Sequence, residues 1–195
     1  MKPAKSNGDG RSNLLVGACG AGALLVLPDY LMSLQATASW HIRVVMTPAA
    51  TRILPPATVR LACEDVYCDG PDSFSPGHVQ LASWADHFIL LPATAHTLAR
   101  AACGLADDLL CTVLLAYERP AIFFPSMNLR MWQQPSVQRN VRQLQADGHR
   151  VVPPVMKSCW EFASASFRTG PALPGPDTVA QSIWESVSAP VPEPS

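Results

Sequence analysis

The chain has 195 residues, 48% of them hydrophobic, and a formal net charge of −1. That length suits one domain with a sizeable core, and the near-neutral balance excludes the basic field that draws in nucleic acid. The six cysteines, Cys19, Cys63, Cys68, Cys103, Cys111 and Cys159, are scattered through apolar segments without a Cys-x-x-Cys pair. This is the pattern of reduced thiols in a cytoplasmic protein, not of a disulfide framework or a zinc site. Cys63 and Cys68 flank "EDVY", but no histidine lies at metal-ligand spacing from them, and no metal is expected.

In chain order, residues 1–12 are polar and glycine-containing and are expected to be disordered. Residues 14–27, "LLVGACGAGALLVL", follow a basic N-terminus and have the look of a secretory signal. Three glycines interrupt the run, and Cys19 lies inside it and not at its end. The run also falls short of the ~20 apolar residues that span a bilayer. It reads as a first buried strand, "NLLVGA", opening through "CGAGA" into a helix over 23–34. Short apolar, β-branched or aromatic runs predict further strands at 42–48, 87–92, 120–125 and, shorter, 149–154. Helical patterns fill 96–117 and 135–147, the latter with Val137, Val141 and Leu144 on one stripe and Gly148 as its stop.

Continuous apolar strands separated by helices predict a parallel sheet covered on both faces. The expected fold is therefore α/β: a three-layer, doubly wound parallel sheet of the Rossmann-like, flavodoxin-like kind, spanning 13–187. From Lys157 onward come six prolines, a β-like "CWEFASASF" and a last helical pattern around "VAQSIWESV". Residues 188–195 are expected to be a disordered tail.

In such sheets ligands bind beyond the carboxyl ends of the strands. Here those ends carry "GACGAG", "TPAA", "PATAHT" and "PSMN", all small, polar or glycine-containing. "GACGAGA" would let a backbone approach a phosphate at a helix N-terminus, but it also suits an ordinary close-packed turn, and its spacing is not Gly-x-Gly-x-x-Gly. His78, at a helix start, suits either a surface position or proton transfer. Asn128, followed by Met131 and Trp132, would cap a short helix or hold a carboxylate in an apolar pocket.

"HVQLASWADHFILLPATAHTLARAACGLADDLL" together with "PSMNLRMW" resembles the homo-oligomeric flavin-containing cysteine decarboxylases. Their marks are a histidine ahead of Trp-Ala-Asp, a Pro-x-Ser-Ala-Asn-Thr motif and a Pro-x-Met-Asn-x-x-Met-Trp motif, and the match runs from Leu14 to about Pro154. The resemblance implies His78 and Asn128 as catalytic residues, with Asn128 and Met131 contacting substrate. It implies Gly20, Ala21 and Gly22 as the flavin phosphate loop, and Thr47, Ala49, Thr94, Ala95, His96, Thr97 and Ser126 as further flavin contacts. Two positions depart from the pattern: His96 stands where the family has Asn, and Ala21 where Ser is common. The cofactor implied is FMN, with FAD possible.

The coenzyme A branch of that family carries an Ala-Cys-Gly motif near its C-terminus, whose cysteine helps reduce the enethiol intermediate. Here Cys159 is followed by Trp160, and no later Gly-x-Gly-Arg appears. Segment 157–174 instead looks like the substrate-clamp hairpin of the lantibiotic-type peptidyl-cysteine decarboxylases. That branch implies a substrate peptide ending in cysteine. Its cysteine loses a hydride equivalent from Cβ to give a thioaldehyde, then CO₂ to give an enethiol, which closes an aminovinyl-cysteine ring. Phosphopantothenoylcysteine decarboxylation and a non-catalytic flavin-binding regulatory subunit stand as the alternatives. The family implies a trimer, or a dodecamer built of trimers, with no membrane or nucleic-acid partner.

Overall fold

A computed structural model of the chain describes residues 10–38, 40–70, 77–161 and 165–188. The first apolar run forms β1 (Ser12–Ala18). A 3₁₀ turn, Gly22–Val26, then leads into α1 (Leu27–Thr37), so the helix expected over 23–34 starts later and runs further. Pro28 fixes that start, because proline is tolerated only in the first turn. β2 (Trp40–Met46) stops short of the expected 48, since Thr47 caps α2 (Pro48–Thr51) through its hydroxyl. After α3 (Pro56–Val59) and a 3₁₀ turn comes β3 (Asp65–Cys68), a strand the apolar pattern did not announce. Only Val66 of its four residues is buried, as suits an edge strand.

α4 (His78–Trp84) leads to β4 (His87–Ala93). The single helix expected over 96–117 is two: α5 (Ala95–Ala102) and α6 (Leu109–Ala116). Gly104, at φ +67°, ends the first, and the Asp108 carboxylate starts the second by accepting from the Cys111 N–H at 2.8 Å. β5 (Ile122–Pro125), α7 (Leu129–Trp132) and α8 (Pro135–Ala146) follow. α8 buries Val137, Val141 and Leu144 and stops before Gly148, which has φ +89°. Of the strand expected over 149–154 only β6 (Arg150–Val151) forms. The chain ends in a hairpin, β7 (Val155–Glu161) and β8 (Ser166–Ala172), and in α9 (Pro176–Ser188). Of the ends expected to be disordered, residues 1–9 and 189–195 lie outside the described residues, while Ser12 and Ser188 belong to β1 and α9.

β1 to β6 form one parallel sheet in the order β3-β2-β1-β4-β5-β6, and β7 and β8 pair antiparallel as a sheet of their own. The period-two geometry of the strands splits the core in two. Leu14, Val16, Ile42, Val44, Ile89 and Phe124 pack with α1 and α9 on one face. Leu15, Val45, Phe88, Leu90 and Phe123 pack with α4, α5, α6 and α8 on the other. Burying each such side chain stabilises the fold by about 1.5–3 kcal/mol. Among the described residues no helix is long and apolar enough to cross a membrane.

The two edges of the sheet differ in chemistry. At the amino edge the polar groups are engaged. Asp86 accepts from the Asn13 N–H at 2.9 Å, Asn13 donates to the Trp84 carbonyl at 2.8 Å, and Tyr117 and Arg119 both donate to the Asp86 carbonyl at 2.9 Å. At the carboxyl edge, the N–H groups of Gly22, Ala23, Ala95 and His96 have no acceptor among the described residues.

Candidate functional site

The strand order reverses between β1 and β4, which are neighbours although β2 and β3 lie between them in sequence. At such a point the chain leaves the two strands towards opposite faces and opens a crevice. Short hydrogen bonds join the loops around it into one floor. Cys19 N–H donates to the Pro92 carbonyl at 3.1 Å, Thr47 N–H to Ala18 at 3.0 Å, and Ser126 N–H to Ala93 at 2.8 Å. Gly20 sits so close to the next loop that a Cβ there would lie 2.7 Å from the Ala49 Cβ and 2.9 Å from its carbonyl carbon. Backbone cannot yield by that much, so only glycine fits.

Three side-chain oxygens start helices at this edge. Thr47 accepts from the Ala50 N–H at 3.2 Å, Thr94 from the Thr97 N–H at 3.2 Å, and Asn128 from the Met131 N–H at 2.9 Å. Ala21 occupies the corresponding place before the 3₁₀ turn and offers no side-chain cap. The N–H groups of Gly22, Ala23, Ala95 and His96 have no acceptor among the described residues. Gly22, Ala49 and His96 are exposed, and Gly20, Thr94, Ala95 and Ser126 half-buried. Small side chains at four adjoining strand ends, with unpaired donors after β1 and β4 among the described residues, suit a planar ligand carrying phosphate.

The residues singled out from the sequence fall into two groups. Gly20, Ala21, Gly22, Thr47, Ala49, Thr94, Ala95, His96, Thr97 and Ser126 gather around the switch point, with Thr47 and Thr97 buried. Thr97 turns its hydroxyl inward, to the Thr94 hydroxyl at 3.0 Å and the Cys19 sulfur at 3.2 Å, so its part is to fix the loop. Asn128 and Met131 lie beyond β5, both exposed, while Trp132 packs partly into the core. The Asn128 cap uses only the carbonyl oxygen, which leaves the amide –NH₂ exposed. Capping and ligand contact are therefore compatible at this residue. His78 opens α4 behind the Gly77 N-cap, is exposed, and its side chain makes no hydrogen bond or ion pair among the described residues. α4 joins the parallel strands β3 and β4, so its first residue, His78, belongs to the connection that follows the carboxyl end of β3.

Two supports were not foreseen. The buried Arg100 guanidinium of α5 pairs with Asp107 and, at 2.6 Å, with Asp108, tying the end of α5 to the start of α6. Asp69, just after β3, accepts from the Leu109 N–H at 3.1 Å and holds the same helix start from the other side. Cys19 is also buried, which pushes its thiol up to about 11 and keeps it neutral.

Comparison with known proteins gives a consistent result. The Flavoprotein family matches residues 3–183 of the chain. Mersacidin decarboxylase of Bacillus sp. (strain HIL-Y85/54728) is 37% identical over 171 residues, which are 87% of this chain and 88% of that protein. The probable phosphopantothenoylcysteine decarboxylase of Streptococcus mutans serotype c is 35% identical over 156 residues, 76% of this chain and 84% of that one. The crystal structure of SpaF, an FMN-dependent cysteine decarboxylase, is 34% identical and has a TM-score of 0.74, covering 91% of this chain and 98% of its own.

Proposed function

The chain belongs to the flavoprotein family, and from that premise we propose how its crevice divides the work of cysteine decarboxylation. The protein is an FMN-dependent peptidyl-cysteine decarboxylase that converts the C-terminal cysteine of a precursor peptide into an enethiol. The observation that carries the site assignment is the floor at the β1/β4 switch point, with its unpaired N–H groups and small side chains. Gly20, Ala21 and Gly22 take the phosphate side of FMN. Thr47, Ala49, Thr94, Ala95, His96 and Ser126 surround the rest, and Thr97 holds their loop. Bound FMN supplies the two-electron oxidation of the cysteine side chain that makes loss of CO₂ possible.

The chain's own residues bind and orient the peptide. The exposed Asn128 amide donates to the terminal carboxylate, and Met131, 42% exposed, gives an apolar wall beside it. His78 takes up or delivers a proton at the reacting cysteine. The β7–β8 hairpin packs beside α7, next to the Asn128 turn, as a clamp over residues 157–174 would. Cys159 lies within β7 and is followed by Trp160, so the hairpin lacks the Ala-Cys-Gly motif of the coenzyme A branch and the product stays an enethiol. Leu25 and Val26 in the 3₁₀ turn and Met32 in α1, all exposed, support assembly into trimers or a dodecamer built of them.

Released CO₂ tests the reading directly. The FMN-loaded protein should decarboxylate a peptide ending in cysteine and leave phosphopantothenoylcysteine untouched. Turnover of the second substrate alone would make this a coenzyme A enzyme, and turnover of neither a regulatory subunit. The histidine in the flavin loop gives a separate expectation. His96→Asn should keep FMN affinity or tighten it, because an amide restores the family's donor in less volume. Calorimetric titration of the apo-protein reads this, and complete loss of binding would give His96 a role of its own.

A further inference from the structure

We propose that Cys19 is a positioning residue for the flavin: its sulfur locks the loop after β4 onto the loop after β1 and makes the Thr94 hydroxyl an acceptor towards the ring. This rests on the assignment of those two loops to FMN. The paired register of β1 and β4 ends at Gly17 and Leu90, and beyond it the chain departs to opposite faces of the sheet. Cys19, 1% exposed, bridges that gap from both its backbone and its sulfur. Its N–H donates to the Pro92 carbonyl at 3.1 Å, and its sulfur accepts the Thr97 hydroxyl at 3.2 Å.

The second bond fixes a direction. A threonine hydroxyl has one proton and two lone pairs. Thr97 directs its proton to the sulfur, so the 3.0 Å contact between the Thr97 and Thr94 hydroxyls is made with the Thr94 proton. Thr94 also accepts the Thr97 N–H at 3.2 Å. Its hydroxyl is left with a lone pair and no proton for a ligand. The partner it fits is an N–H of the flavin ring, and the phosphate is served by the N–H groups of the glycine loop. The raised thiol of Cys19 agrees, since a neutral sulfur at a buried position remains a hydrogen-bond acceptor without bringing in a charge.

The test compares FMN with riboflavin, which has the ring and no phosphate, binding to apo-protein. Cys19→Ala removes the acceptor, lets the Thr97 proton turn to Thr94, and should weaken both ligands by the same factor, roughly 10-fold. The visible spectrum of the bound ring should shift with it. Cys19→Ser, which restores an acceptor, should recover affinity and spectrum. Thr97→Val should reproduce the loss, and the double variant should lose no more than either single one, which also serves if Cys19→Ala folds poorly. Unchanged affinity and spectrum in both Cys19→Ala and Thr97→Val would overturn the proposal. Loss with FMN but not with riboflavin would move the contact to the phosphate and overturn it too. Failure of the unaltered protein to bind either ligand would instead sink the flavin assignment itself.

Discussion

FMN-loaded His78→Asn should bind its peptide and release no CO₂. The His78 side chain makes no hydrogen bond or ion pair among the described residues and lies exposed at the start of α4, so its replacement removes nothing that holds the fold. What disappears is an imidazole that can take up and return a proton, while asparagine keeps the size and a hydrogen-bonding amide. Loss of positioned proton transfer typically costs ~10²–10⁴ in rate. The measurement is mass spectrometry of a peptide ending in cysteine, where the unaltered protein removes CO₂ and two hydrogens. An unchanged melting temperature and flavin content would place the defect in chemistry, and full turnover would place the active site elsewhere.

Asn128→Asp separates two duties of one side chain. The Asn128 oxygen caps α7, and aspartate caps a helix as well as asparagine does, so the Met131 N–H keeps its acceptor. The amide protons vanish and a carboxylate faces the carboxylate of the substrate. A hydrogen bond to a charged group contributes about 1.5–3 kcal/mol, and like charges repel further, so kcat/KM should fall by roughly 10²-fold or more. Fluorescence titration should show weaker peptide binding with FMN retained. Wild-type kcat/KM in the FMN-loaded variant would remove Asn128 from the substrate site.

The sheet was legible because its central strands are buried on both faces and read as unbroken apolar runs, as "NLLVGA" and "HFILLP" do. β3 was not, because Asp65, Tyr67 and Cys68 at a half-covered edge break the pattern. The interruption between α5 and α6 was written in Gly104 and Asp108, a stop and a cap, but the alanine- and leucine-rich stretch on both sides masked it. The crevice followed from four strand ends of small residues. The second duty of Asn128 and the inward turn of Thr97 depend on side-chain direction, which spacing alone does not carry. Arg100 gave no signal, since its two acidic partners lie seven and eight residues on, beyond the turn that brings them back.

The closing hairpin has a consequence for redesign. Its strands bond to each other and not to the parallel sheet, and Trp160 and Phe167, stacked edge to face at 5.4 Å, stay 47% and 72% exposed. Side chains that contribute so little to the interior can be exchanged for others at small thermodynamic risk, since surface substitutions usually change stability by no more than ~0.5 kcal/mol. Exchanging the exposed side chains of this hairpin therefore leaves the flavin floor and both cores as they are, and alters only the surface that flanks α7 and the Asn128 turn.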